Sequence, residues 1–137
     1  MISAERQISA PPERVFDFLS DLRNHWRLEE RFLELEDVSE TGGTIRLRGP
    51  LRLSRTARTQ VLEAERPSRV AGRADLRGGT VGLVAWGIRP HGAGSKVRLS
   101  AEIPKAWLPD RLFLTAGGRV WLRHLFERAL ESLDEVL

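Results

Sequence analysis

Lys96-Val97-Arg98-Leu99-Ser100-Ala101-Glu102-Ile103 alternates without a break. Val97, Leu99, Ala101 and Ile103 fall on one side, and Lys96, Arg98, Ser100 and Glu102 on the other. A period of two over this length predicts a β-strand with one face buried. Just beyond it the pattern changes. Pro104 and Pro109 bracket a linker, and from Arg119 to Leu137 the period becomes 3.6. Leu122, Leu125, Phe126, Ala129, Leu130, Leu133 and Val136 then form one wide apolar stripe, while Glu127, Arg128, Glu131, Asp134 and Glu135 lie elsewhere on the helix.

Working back from Lys96, Pro90-His91-Gly92-Ala93-Gly94-Ser95 reads as a hairpin loop. Four segments before it read as strands: Thr80 to Arg89, Val70 to Leu76, Thr56 to Glu65, and Thr44 to Leu53 with a bulge or kink at Gly49-Pro50. Gly78-Gly79 and Arg66-Pro67-Ser68 supply turns, and Gly42-Gly43 marks a further hairpin after a strand that starts at Phe32. The N-terminal end has a strand over residues 2 to 9, with Ile2, Ala4 and Ile8 on one face. Pro11-Pro12-Glu13 then opens a helix carrying Val15, Phe18, Leu19 and Leu22, and Asn24-His25-Trp26-Arg27 reads as a second short helical turn. Consecutive strands joined by hairpins require an antiparallel sheet. The predicted class is therefore α+β: a curved antiparallel sheet of about six to seven strands wrapped around a long C-terminal helix. Two short helices follow the first strand. All 137 residues form one domain.

Composition narrows the function classes. Twenty of the 22 basic residues are Arg, and the net charge is only +3. Arg alternates with Glu and Asp along most of the chain, so no basic face is expected to hold nucleic acid. The absence of Cys removes disulfides and thiolate chemistry. The start, Met1-Ile2-Ser3-Ala4-Glu5-Arg6, lacks the basic-then-apolar order of a signal peptide, and no run is long enough for a membrane span. A cytoplasmic location is the expectation.

Ile8-Ser9-Ala10-Pro11-Pro12-Glu13-Arg14-Val15-Phe16-Asp17-Phe18-Leu19-Ser20-Asp21 resembles the opening of the START-like superfamily (polyketide cyclase/dehydrase-like proteins, the helix-grip fold). Pro67-Ser68-Arg69-Val70 resembles its middle turn. Gly92-Ala93-Gly94-Ser95-Lys96-Val97 resembles its last hairpin, with Ser95 in place of Thr, and residues 121 to 130 resemble its final helix. The resemblance spans nearly the whole chain. It implies an apolar pocket between sheet and helix, and members that bind lipids, hormones, polyketides or quinones or act as cyclases, dehydratases or chaperone cofactors. The better-understood cyclases use Tyr in their pockets, and this chain has none.

The expected function is binding of a small, largely apolar molecule, with Trp86, Ile88, Leu99, Phe113 and Trp121 as pocket wall. Trp107 and Leu108 read as a lid and Gly117-Gly118 as its hinge. The alternatives are a polyketide cyclase/dehydratase and a protein-interaction or chaperone-cofactor role. For catalysis only His124 and Arg73 are candidates, and neither belongs to a recognisable catalytic constellation. His25 reads as a helix-end residue rather than a base, and His91 as a solvated loop residue. No metal site or cofactor is expected. Arg73 and Asp75 share one face of their strand, opposite Val70, Ala74 and Leu76, and Arg58 and Gln60 raise the same question of inward or outward facing. The apolar residues on both sides of the Trp86 strand leave a homodimer contact open.

Overall fold

The computed structural model describes residues 1–28, 33–50 and 53–137, without the side chain of Trp26. Phe32, Leu51 and Arg52, placed in strands by the sequence, lie outside the described residues. Strand β1 (Ile2–Ile8) leads into helix α1 (Pro12–Leu19) and a 3₁₀ turn (Leu22–Arg27). Six strands follow: β2 (Leu33–Val38), β3 (Gly42–Arg48), β4 (Ser54–Glu65), β5 (Arg69–Leu76), β6 (Val81–His91) and β7 (Gly94–Lys105). Helix α2 (Leu108–Phe113), a π turn (Leu114–Gly118) and helix α3 (Arg119–Val136) complete the chain. The strands form one antiparallel sheet in the order β1-β7-β6-β5-β4-β3-β2.

Register explains which face is buried. Val84, Trp86 and Ile88 pair with Ala101, Leu99 and Val97, and on the other side Gly72 and Val70 pair with Val84 and Trp86. Directly paired residues point to the same side, so these rows form one continuous concave face. Bulges at Leu35/Asp37, Val61/Glu63 and Val81/Leu83 bend it. The second half of α3 fills the concavity: Ala129, Leu130 and Leu133 are buried in a core with Ile8, Val15, Leu19, Val97 and Leu99.

Two local features fasten the chain ends to this frame. Gly94 lies against β1 so closely that a Cβ would stand 2.3 Å from the Ile8 carbonyl oxygen. Its neighbour Ser95, almost wholly buried, donates its hydroxyl to the Ala10 carbonyl at 2.7 Å. The Gly-x hairpin therefore locks the β1–α1 corner onto β7.

The Pro90–Ser95 loop expected from sequence narrows to Gly92-Ala93, because Pro90 and His91 still pair with Ser95 and Gly94, and the sheet departs further at one strand. Thr44 to Leu53 is not one kinked strand. β3 stops at Arg48 and β4 begins at Ser54. Between them the Gly49 N–H donates to the Leu53 carbonyl at 2.7 Å, closing a hairpin turn. Pro50 has no N–H for a ladder, so the alternation cannot be carried through it.

Candidate ligand cavity

The first half of α3 does not touch the sheet as the second half does. There the concave face carries small residues: Gly72, Ala74, Gly82 and Ala101. With little side chain to fill the space, sheet and helix enclose a cavity of about 330 Å³. Leu122, Leu125, Phe126 and Trp121 of α3 form one wall, and Leu35, Ile45, Val61, Val84 and Trp86 of the sheet form another. Gly82 borders this space, and a Cβ added there meets nothing within 4 Å.

The 3₁₀ turn supplies the cavity's imidazole. Asp21 caps the turn, accepting the Arg23 N–H at 3.0 Å. The side chains of Asn24 and His25 then donate to the Phe18 and Leu19 carbonyls at 3.0 and 2.8 Å. These carbonyls close α1, where helical partners run out. Residues three apart eclipse in a 3₁₀ turn, so Leu22 and His25 both border the cavity, with Leu28 buried just beyond. The His25 ring is half-buried, edge-on to Trp86. Burial holds its pKa below the ordinary 6.5. The Leu19 carbonyl and the Asp21 carboxylate oppose that shift without cancelling it.

At the far end, α2 is tied down by polar contacts. Arg55 pairs with Asp110 at 2.9 Å, and its guanidinium lies 5.6 Å from the Trp107 ring. Thr80 is buried; its hydroxyl donates to Asp110 and accepts the Trp107 N–H at 2.9 Å. Leu108 and Leu112 project into solvent, each 63% exposed. The chain then kinks at Gly117, whose φ of 102° is a left-handed value that favours glycine.

Of the residues expected in the pocket, Trp86 and Trp121 border the cavity. Ile88 and Leu99 are buried in the adjoining core, and Phe113 stands behind the wall, edge-on to Trp121 at 5.9 Å. His124 is elsewhere. It lies two residues past Leu122, roughly 200° around the helix, and its side chain is 69% exposed beside Glu127. Arg58, Gln60, Arg73 and Asp75 are register neighbours across β4 and β5 and all four are exposed. Arg73 and Asp75 pair with each other at 2.9 Å on the convex surface. The charges thus face out and the apolar set faces in, as desolvation costs demand. Leu83, on the convex side of β6, is 37% exposed in the single chain. His25 was not expected in the wall. The available signal was the spacing of three in Leu22, His25 and Leu28.

A curved antiparallel sheet gripping a C-terminal helix, with an apolar cavity where the two part, defines a helix-grip domain. A family described as "Polyketide cyclase / dehydrase and lipid transport" matches residues 1–137, and the chain belongs to it. Similar solved structures agree on the fold. The protein TTHA0849 of Thermus thermophilus is 23% identical, with a TM-score of 0.71 over 98% of this chain and 94% of that one. CV1439 of Chromobacterium violaceum is 19% identical, with a TM-score of 0.69 over 99% and 96%. DynU16, from the dynemicin biosynthetic locus, is 16% identical with a TM-score of 0.65; the match covers 98% of this chain and 45% of that one. No curated protein matches. Among the described residues no helix is long and apolar enough to cross a membrane.

Proposed function

We propose that the protein binds a small, largely apolar molecule between the sheet and α3. The observation that carries this reading is the cavity of about 330 Å³ with an almost wholly apolar wall. That volume lies at the lower end of the range used by small-molecule sites, roughly 300–1,000 Å³. Membership of a cyclase and lipid-transport family supports the same reading. In it, burial of apolar surface drives binding, and α2 with the Gly117–Gly118 kink serves as the gate, Trp107 and Leu108 forming its outer leaf.

A cyclase or dehydratase is a second reading, favoured by the His25 imidazole in the wall. Binding takes precedence because Arg73 is paired with Asp75 on the convex surface, His124 stands in solvent, and Asp21, the carboxylate that acts on His25, is already paired with Arg23.

Native mass spectrometry of protein purified from its own host tests the proposal. A stoichiometric apolar metabolite is the expected result, and equilibrium dialysis against phenanthrene provides a host-independent check. A protein that neither carries such a molecule nor takes up phenanthrene would overturn the reading.

A further inference from the structure

We propose that Nδ1 of His25 is the polar anchor of the cavity, and that it selects apolar ligands carrying a hydroxyl donor, phenols or alcohols, over their ethers and parent hydrocarbons. The inference rests on the ligand-binding reading above and adds the chemistry of the ligand.

The tautomer follows from geometry. His25 Nε2 lies 2.8 Å from the Leu19 carbonyl oxygen. A carbonyl only accepts, so Nε2 carries the proton and donates it. In a neutral ring Nδ1 is then an acceptor. Among the described residues it has no hydrogen-bond partner, although the ring is pressed between the α1 terminus and Trp86 and borders the cavity. Adding a second proton is disfavoured, because burial penalises the imidazolium.

The cap alone does not account for a histidine. Asn24, its neighbour, caps the Phe18 carbonyl with an amide. The ring is half-buried, and a donor brought by a ligand that excludes water from the cavity gives Nδ1 the partner it lacks among the described residues.

Of the other polar residues bordering the cavity, Gln60 and Arg73 stand at strand positions with exposed side chains, Arg73 paired with Asp75, and three more are engaged. Thr80 is held between Asp110 and Trp107, and Thr59 is directed at the Gly43 carbonyl at 3.4 Å. The Arg48 guanidinium, itself mostly in solvent, is paired with Glu34 at 2.6 Å. A ligand hydroxyl entering this cavity therefore finds in His25 Nδ1 an imidazole acceptor with no described partner, whereas the Thr59 and Thr80 oxygens are already oriented by hydrogen bonds of their own. A carboxylate offers no proton to that lone pair and would be desolvated with no free cation beside it among the described residues, so acids are disfavoured. A polar site of this kind discriminates by leaving its own group unpaired when the wrong molecule binds.

The test compares phenanthrene, 9-methoxyphenanthrene and 9-phenanthrol by equilibrium dialysis against the whole protein. The phenol should bind about tenfold more tightly than the ether, the scale of one net hydrogen bond. In His25→Phe that preference should collapse to about one while phenanthrene binding persists. Because His25→Phe also removes the Leu19 contact and could fail to fold, ¹⁵N NMR of the wild-type imidazole gives an independent reading. The unprotonated Nδ1 resonance should move toward lower shift with 9-phenanthrol and stay in place with the ether. Equal binding of phenol and ether, a preference that survives in a folded His25→Phe, or an Nδ1 signal indifferent to the phenol would each overturn the anchor and leave the cavity reading standing. Failure of all three molecules to bind would remove the cavity reading and the anchor with it.

Discussion

The His25 imidazole meets the Trp86 indole edge-on, ring centroids 5.9 Å apart and planes at 83°. The contact joins the 3₁₀ turn at one end of the cavity to the middle of β6, so it couples the placement of a polar group to the sheet that faces it. Trp86 is also a core residue, 6% exposed, packed with Val70, Leu99 and Leu28. Trp86→Ala should cost about 3–5 kcal/mol, the range for removing a large buried aromatic. Urea denaturation measures the loss. The His25 ring signals should broaden in the same variant, because its neighbouring wall is gone.

Gly82 allows the cavity to be closed without disturbing the fold. Its φ is not in the left-handed region and an added Cβ meets no atom within 4 Å, so a side chain there has room and no backbone strain. Gly82→Leu should leave the melting temperature unchanged or raised, since the leucine buries apolar surface. Phenanthrene uptake by dialysis should fall at least about tenfold, the equivalent of 1.4 kcal/mol. Unchanged uptake would mean that ligands bind somewhere other than this cavity.

Most of the sheet was legible because alternation is a local signal. Lys96–Ile103 reads correctly from sequence, and β7 extends it by two residues at each end. The cavity was less legible because it is made by what is missing. Gly72, Ala74 and Gly82 carry no pattern of their own; only register shows that they stand on one concave patch opposite Leu122 and Phe126. His25 reads from sequence as a helix-end residue, and a polar residue there ordinarily points to solvent. Asn24 and His25 instead turn back onto the α1 carbonyls, which brings the ring inward. Trp86 and Trp121 could be placed on the wall because large aromatics on an inward face are informative by themselves.

Stability should depend on pH through His25. In the unfolded chain the imidazole returns to its ordinary pKa near 6.5, while burial first, against the Leu19 carbonyl and Asp21, holds it lower in the native protein. Below about 6.5 the unfolded state binds a proton that the native state refuses, so stability is complete above that value and declines as pH falls toward the depressed native pKa. Asp17, Asp21 and Asp75 are held below the ordinary 3.8 by hydrogen bonds from Arg66, Arg23 and Arg73. Their contributions are lost only in stronger acid, which separates the two windows. Urea midpoints at about pH 7.5 and about pH 5.5 should differ in wild type and converge in His25→Gln, which has no proton to gain. Identical midpoints in wild type would contradict the burial of the ring.

The β1–α1 corner offers a test of the fold itself. Ser95→Ala removes the hydroxyl that satisfies the buried Ala10 carbonyl and should cost about 1–3 kcal/mol. Gly94→Ala should cost more, because its Cβ would lie 2.3 Å from the Ile8 carbonyl oxygen and backbone must move to admit it. Chemical denaturation of both variants should rank them in that order, and hydrogen exchange should show β1 amides losing protection first in Gly94→Ala.

The contacts that fasten α2 predict how ligands enter. Asp110 is the hub, accepting from Arg55 and from Thr80, and its carboxylate is 18% exposed, so the pair is only partly screened by solvent. Asp110→Asn keeps the size but removes the charge and weakens both bonds. If α2 is the gate, the loss favours the open position and should speed phenanthrene dissociation about tenfold, or about 1.4 kcal/mol on the opening step. Association should quicken in parallel, so the equilibrium affinity changes little. Gly117→Ala should act in the same sense, since alanine is disfavoured at the φ of 102° that the hinge adopts here. Stopped-flow measurement of both rates decides the matter. A variant whose affinity drops while its rate of exchange stays fixed would make the Arg55–Asp110–Thr80 cluster a support for the wall rather than a latch on the gate.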